Sequence, residues 1–282
     1  DFTEYGLAYT YTGKDKDKKE VQITEKNSLY ANADFDLDLN KHKLSFEKIV
    51  IKQNVESRIY NGSLEASHSF VVEGNAGIEV EKVAYTSATY GFFPAGNASY
   101  VRVIDSSVNA AVYGIATNAS GTLSNNVAIT VEGSTIETSS EDKDNTALMI
   151  NVDGTLTVIN STIKGQRQAL MVRGGTASVK NSTIERTDNT DWSAKKNDKD
   201  QLIKNYKDGA EANVKEWGTG NEVPAKAIVL GDYTTNSGYN REAKLTLEKV
   251  TVNGDIYAHG HSAEKKATLR FEGEATTYGA LA

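Results

Sequence analysis

The chain has no cysteine, two prolines and no apolar run near the length of a membrane-spanning helix in its 282 residues. Without cysteine there is no disulfide scaffold, no zinc finger, no iron–sulfur site and no thiol nucleophile. Without a run of roughly 18 apolar residues, no transmembrane helix is expected. Positive charge is also short: Lys and Arg number 31 against 38 Asp and Glu, a net charge of −7. That balance argues against nucleic acid or an anionic membrane as partner. Apolar residues make up 38% and recur regularly, with fourteen tyrosines among them, so the chain is not a disordered one.

What the sequence does have is repetition, and repetition decides fold class. One block reads apolar, x, apolar, x, x, Ser, Ser/Thr, Val/Ile. It stands as VRVIDSSV at 101–108, ITVEGSTI at 129–136, LTVINSTI at 156–163 and ASVKNSTI at 177–184, with a weaker copy LTLEKVTV at 245–252. The starts 101, 129, 156 and 177 lie 28, 27 and 21 residues apart; the next, 245, lies 68 further on, room for one coil or two plus an insertion. A second block alternates with the first: AVYGIATN from Ala111, ALMINVDG from Ala147, ALMVRGG from Ala169, AIVLGD from Ala227 and DIYAHG from Asp255. Each is a short apolar run closed by a turn residue, as a buried strand is punctuated.

Alternation within the first block places Leu156 and Val158 inward and Thr157 and Ile159 outward. The same registry puts Val101, Val103, Ile129, Val131, Ala177, Val179, Leu245 and Leu247 inside. A unit of two short strands cannot bury its own apolar face, but stacked copies can. The expected fold is therefore all-β, a right-handed parallel β-helix of roughly ten coils about 4.8 Å apart. A β-sandwich also uses many short strands, but it does not explain identity down the NST columns. Residues 1–43 are expected as irregular N-terminal coils and a cap, 44–282 as the β-helix, and about 187–224 as one long inserted loop or arm.

Residues 155–186 (TLTVINSTIKGQRQALMVRGGTASVKNSTIER) and 250–282, with their GDI and ATLRFEG elements, resemble the coil repeats of pertactin-like passenger domains of bacterial autotransporters. The resemblance covers roughly 100–186 and 226–282 and carries no catalytic motif. It implies a secreted bacterial cell-surface passenger, exported through the outer membrane by a C-terminal translocator β-barrel absent here. The lack of cysteine agrees with such export. No leader-like segment opens the chain at Asp1, so a mature fragment is expected. The function implied is adhesion: self-association between cells, as in aggregation and biofilm, or attachment to a host matrix protein or glycan. No enzyme activity, cofactor or metal is expected.

The competing class is a polysaccharide lyase or glycoside hydrolase on the same scaffold. Asn189-Thr190-Asp191 and His259-Gly260-His261 resemble fragments of a polygalacturonase pattern, but no Asp-Asp pair lies between them and HGH is not GHG. Arg167 and Arg173, with Asp153 about a coil away, echo a lyase's base and acids, though solvated charges at turns explain them as well. His259, His261 and Asp255 share a spacing that suits a metal, or a plain surface. Asn160 and Asn181 occupy one column and are expected to stack as an amide ladder inside a turn.

Two features stand as candidate binding sites. One is an outward hydroxyl column of Ser107, Thr135, Thr162, Thr183 and Thr251, a polar ladder on which another copy could lie. Its alternative is strand propensity and turn chemistry. The other is the insertion, which holds both tryptophans, Trp192 and Trp217, with Tyr206 and six lysines against eight acids. Long loops on solenoids commonly carry binding, and Trp and Tyr are enriched at contact hot spots. A cover folded over the rod is the alternative.

Overall fold

The computed structural model describes residues 8–14, 18–26, 28–117, 125–139, 145–187, 225–231, 241–273 and 276–281. Among them there is no helix, and every strand but one pair runs parallel. The exception is the hairpin of Ala8–Lys14 and Glu20–Lys26. The rest forms a right-handed parallel β-helix whose coils each contribute to three ladders.

The first block builds two of these ladders. Its leading apolar pair lies in the strands Tyr100–Ile104, Asn125–Glu132, Asp153–Ile159, Gly175–Lys180 and Ala243–Glu248, stacked in that order. Its closing Ser/Thr-Val/Ile opens the strands Ser107–Ala110, Thr135–Thr138, Thr162–Gly165, Thr183–Arg186 and Thr251–Asn253. In the longer strands Glu56–Ala66 and Gly77–Ser87 both ladders run through one strand with a bend. The second block forms the third ladder: Tyr113–Ala116, Thr146–Ile150, Gln168–Val172, Ile228–Gly231 and Ile256–His259.

Why the chain turns at the seam between the first two ladders is read from one residue per coil. Asn61, Lys82, Asp105, Gly133, Asn160, Asn181, Lys249 and Gly273 all have φ between 45° and 68°. A single left-handed residue redirects the backbone without lengthening the coil. Asn, Asp and Gly tolerate that conformation best. The two asparagines expected to stack as an amide ladder serve this purpose, and their side chains are exposed or turned to solvent at the corner. The ladder that does exist is made by the next residue. Ser106, Ser134, Ser161 and Ser182 are buried, and each Oγ accepts the backbone N–H of the matching residue one coil earlier at 3.0–3.1 Å: Val83 to Ser106, Ser106 to Ser134, Ser134 to Ser161, Ser161 to Ser182. Each hydroxyl donates in turn to the carbonyl two residues before it, at 2.6–2.7 Å. Burying four hydroxyls is tolerable because all are paired.

The inward columns are as the alternation requires: Val101, Val103, Ile129, Val131, Leu156, Val158, Ala177, Val179, Leu245 and Leu247 are all buried. They meet Val108, Ile136, Ile163, Ile184 and Val252 of the second ladder and Ile115, Leu148, Leu170, Ile228 and Ile256 of the third in one continuous core. Each such side chain contributes on the order of 1.5–3 kcal/mol when fully buried. Toward the N-terminus the filling becomes aromatic, with Phe46, Phe70, Tyr85 and Phe92 ring to ring at 5.0–6.5 Å. A separate apolar cluster, Ala116, Met149, Met171 and Val229, forms on the outward side of the third ladder and is buried too.

Two expectations change. The three ladders define eight complete coils among the described residues, not ten, with Ala267–Glu272 opening a ninth. The 68-residue interval is a single coil, because Ala177 pairs directly with Leu245 and Val179 with Leu247. At about 4.8 Å per coil the stack of eight is about 40 Å long. Regular pairing also begins ahead of residue 44: Ser28–Ala31 stacks on Lys48–Ile51, and Phe35–Asp38 on Glu56–Ala66. The alternation of Phe35, Leu37 and Leu39 against Asp34, Asp36 and Asp38, half-buried or buried against exposed, already belongs to the first coil.

Candidate functional surface

The second ladder places the predicted hydroxyls in strict register. Ser107 pairs with Thr135, Thr135 with Thr162, Thr162 with Thr183 and Thr183 with Thr251. A bridge from Thr251 to Thr277 extends the column into the ninth coil. Thr135, Thr162 and Thr183 are half-buried, and Ser107, Thr251 and Thr277 are exposed, so the column faces outward along its whole length. It begins only at Ser107, since Ala84 fills its place one coil earlier.

A second hydroxyl column runs beside it on the first ladder and was not singled out from the sequence. Thr130, Thr157, Ser178 and Thr246 are successive register partners, with Thr155 and Thr176 adjacent on the same outward side. The signal was present: the alternation that sends Leu156 and Val158 inward sends Thr157 outward. Around these columns stand charges paired between coils, Lys180 with Glu248 at 2.9 Å and Lys164 with Glu185 at 3.8 Å.

Nearer the N-terminus the same face changes chemistry. Arg58 reaches Glu79 at 3.2 Å and Glu81 more closely still, with its guanidinium 4.9 Å over the Tyr60 ring. Arg102 holds the other oxygen of Glu79 at 2.8 Å. The hydrogen bond from Arg58 keeps the Glu81 carboxyl below the usual carboxylate range. The Tyr100 hydroxyl donates to Glu56; loss of solvent, then the neighbouring carboxylate, makes it harder to ionise than an ordinary tyrosine. Asp34, Asp36, Glu56, Arg58, Glu79 and Tyr100 line a shallow open groove here. Within it Arg58 pairs with Glu79, Tyr100 donates to Glu56, and Asp34 accepts the backbone N–H of Glu56. Among the described residues no cluster of three His, Asp or Glu is arranged to hold a metal ion.

The other candidates fall as follows. Trp192, Tyr206 and Trp217 lie outside the described residues. Arg167 and Arg173 are not solvated turn charges, for both are buried beside the third ladder. A guanidinium so placed must be compensated by its surroundings rather than by water. Asp153 pairs with Arg241. Asp255 is held by Lys226 at 2.8 Å and also accepts the backbone N–H of Ala280, which lowers its pKa. His259 is exposed and its Nδ1 lies 2.6 Å from the Gly260 carbonyl.

The fold and this face define a right-handed parallel β-helix with a polar, hydroxyl-lined side. Compared with known proteins, the chain matches no family, no curated sequence and no solved structure.

Proposed function

We propose that the chain is a non-enzymatic adhesin of the bacterial cell surface, related to autotransporter passengers and joined in the full-length protein to a C-terminal translocator β-barrel. Its partner is another copy of itself on a neighbouring cell, or a host matrix protein or glycan. The observation that supports this reading is the pair of parallel hydroxyl columns over coils five to eight. They form a regularly spaced polar surface on the two sides of the corner between the first and second ladders. Hydrogen bonds from such a surface are weak singly, about 0.5–1.5 kcal/mol each, and gain strength by number. Thr135, Thr162 and Thr183 are its central members, and the segment with Trp192, Tyr206 and Trp217 is the second contact region of the proposal.

The test is display on a non-aggregating cell, scoring settling and capture on a panel of matrix proteins. The triple substitution Thr135→Ala, Thr162→Ala, Thr183→Ala is expected to reduce settling or capture severalfold while the β-sheet spectrum is unchanged. Settling equal to the parent's removes the hydroxyl face from the reading. Release of reducing sugar or unsaturated product from a polysaccharide panel overturns it in favour of an enzyme.

A further inference from the structure

Along the first ladder the outward column changes from charge to hydroxyl after the fourth coil. Asp36, Arg58, Glu79 and Arg102 are successive register partners of alternating sign, and Thr130 follows them. Beside them runs a shorter column of Glu56, Gly77, Tyr100 and Ala128, in which the tyrosine stands between two small residues. Its side chain lies down along the rod, crossing Gly77 to bring its hydroxyl to Glu56 two coils away. A Cβ on Gly77 would fall inside the ring, so only glycine admits it there. The groove this makes lies on the flank of coils one to four and encloses about 430 Å³. That falls within the usual range of a small-molecule site, roughly 300–1,000 Å³. Asp34, Asp36, Glu56 and Glu79 line it as groups that only accept hydrogen bonds, and Arg58 as one that only donates. Asp34, Asp36 and Glu56 are exposed, and a single oxygen of Asp34 and of Glu56 is engaged, so the others face water.

We propose that this groove is a binding subsite for one saccharide ring of a glycan, neutral or carrying an amino group. A sugar hydroxyl both donates and accepts, so one ring can bridge carboxylates that only accept and a guanidinium that only donates. Hydrogen bonds from hydroxyl to carboxylate are charge-assisted and about twice as strong as neutral ones. The C–H face of a sugar is apolar and suits the Tyr100 ring, an apolar body with a polar tip. Arg58 is already fixed in place by Glu79, Glu81 and the Tyr60 ring, so little order is lost when it binds. Four carboxylates against one guanidinium leave the groove negative, which selects against an acidic sugar and in favour of an ammonium group. The site stands apart from the hydroxyl columns. It takes the glycan branch of the adhesin reading and rests on that reading for its purpose, not for its chemistry.

The test is ligand-observed saturation-transfer NMR on the purified whole chain. The probes are the methyl glycosides of glucose, galactose and mannose, the matching 2-amino sugars and the matching uronates. At least one neutral or amino sugar is expected to bind saturably in the millimolar range, with the uronate of its series at least tenfold weaker. Tyr100→Ala is expected to weaken that binding at least tenfold. Asp36→Asn, a change at an exposed side chain, should weaken the amino sugar severalfold and narrow its lead over the uronate. Tyr90→Ala, at an exposed tyrosine on the third ladder, should leave binding unchanged. Absence of saturable binding to the parent, a uronate that binds as well as its neutral counterpart, or equal loss in Tyr90→Ala overturns the proposal. Binding is read in solution, so cells that fail to settle while the sugar still binds count against adhesion and not against this site.

Discussion

Replacing Ser161 by alanine tests whether the buried serine ladder holds the coils or merely accompanies them. Ser161 Oγ accepts the Ser134 N–H at 3.1 Å and donates to the Ile159 carbonyl at 2.7 Å, while its own N–H goes to Ser182 Oγ at 3.0 Å. Alanine leaves the last bond intact. The Ile159 carbonyl also keeps a partner, the N–H of Gly133 at 3.1 Å, so its loss is small. The Ser134 N–H loses its acceptor in a buried position, a cost of about 1–3 kcal/mol. Removing a hydroxyl that had to be desolvated offsets part of this, which leaves a net loss of about 1–2 kcal/mol. In a stack of coils that loss is felt first between neighbours. Native-state hydrogen exchange should show the Ser134 amide opening roughly 5–30-fold more often, with a parallel drop in urea stability. Ser178→Ala, at an exposed outward site, is the control and should stay within about 0.5 kcal/mol of the parent. If Ser161→Ala behaves like Ser178→Ala, or the Ser134 amide is protected as before, the ladder contributes nothing and the reasoning fails.

Two further outcomes follow from the same geometry. Asn160→Ala places an unfavourable residue at φ 49° and should cost about 1 kcal/mol, whereas Lys249→Gly, at φ 54°, should raise stability by about 0.5 kcal/mol; thermal melts of both variants check the pair. Asp255 has a folded-state pKa below its ordinary 3.8, so its pairing with Lys226 stabilises fully above that value and is lost as pH falls through the lower folded one. Asp255→Asn should therefore flatten the acid limb of a stability–pH curve below about pH 4, by less than about 1 kcal/mol because both partners are partly solvated, and an unchanged acid limb would count against the pairing.

The part of the fold legible in the sequence is the part governed by nearest neighbours. Leu156 and Val158, or Ile129 and Val131, declare their direction by alternation alone, and the column of Thr135, Thr162 and Thr183 follows from the same count. The corner was half legible. Asn160, Asn181 and Gly133 are residues that suit a left-handed φ, yet Lys82 and Lys249 occupy the same place without announcing it, because the coils on either side hold them there. The function of Ser161 was masked by its neighbour: the asparagine drew attention as a ladder former, while the ladder requires a short side chain that both donates and accepts. The coil count was not legible, since a 68-residue interval says nothing about whether Ala177 meets Leu245 directly. Nor was the burial of Arg167 and Arg173, which depends on what surrounds the outward side of the third ladder. The hydroxyls of Thr130, Thr157, Ser178 and Thr246 fill the second position of the repeated block, so their column was legible by the alternation that sends Leu156 and Val158 inward.

Because the coils are joined to one another by ladders that run across the strands, the inter-coil hydrogen bonds point along the rod. A pull applied between the two ends of the chain does not shear these bonds all at once. It meets the outermost coil, opens that coil's three short strands, and moves on to the next. With about 21 residues in a coil such as 156–176, each event releases roughly 70 Å of chain for a rod shortening of about 5 Å. A rod of this design resists load as a series of small latches, one to a coil, and lengthens in steps while the remaining coils keep their faces intact.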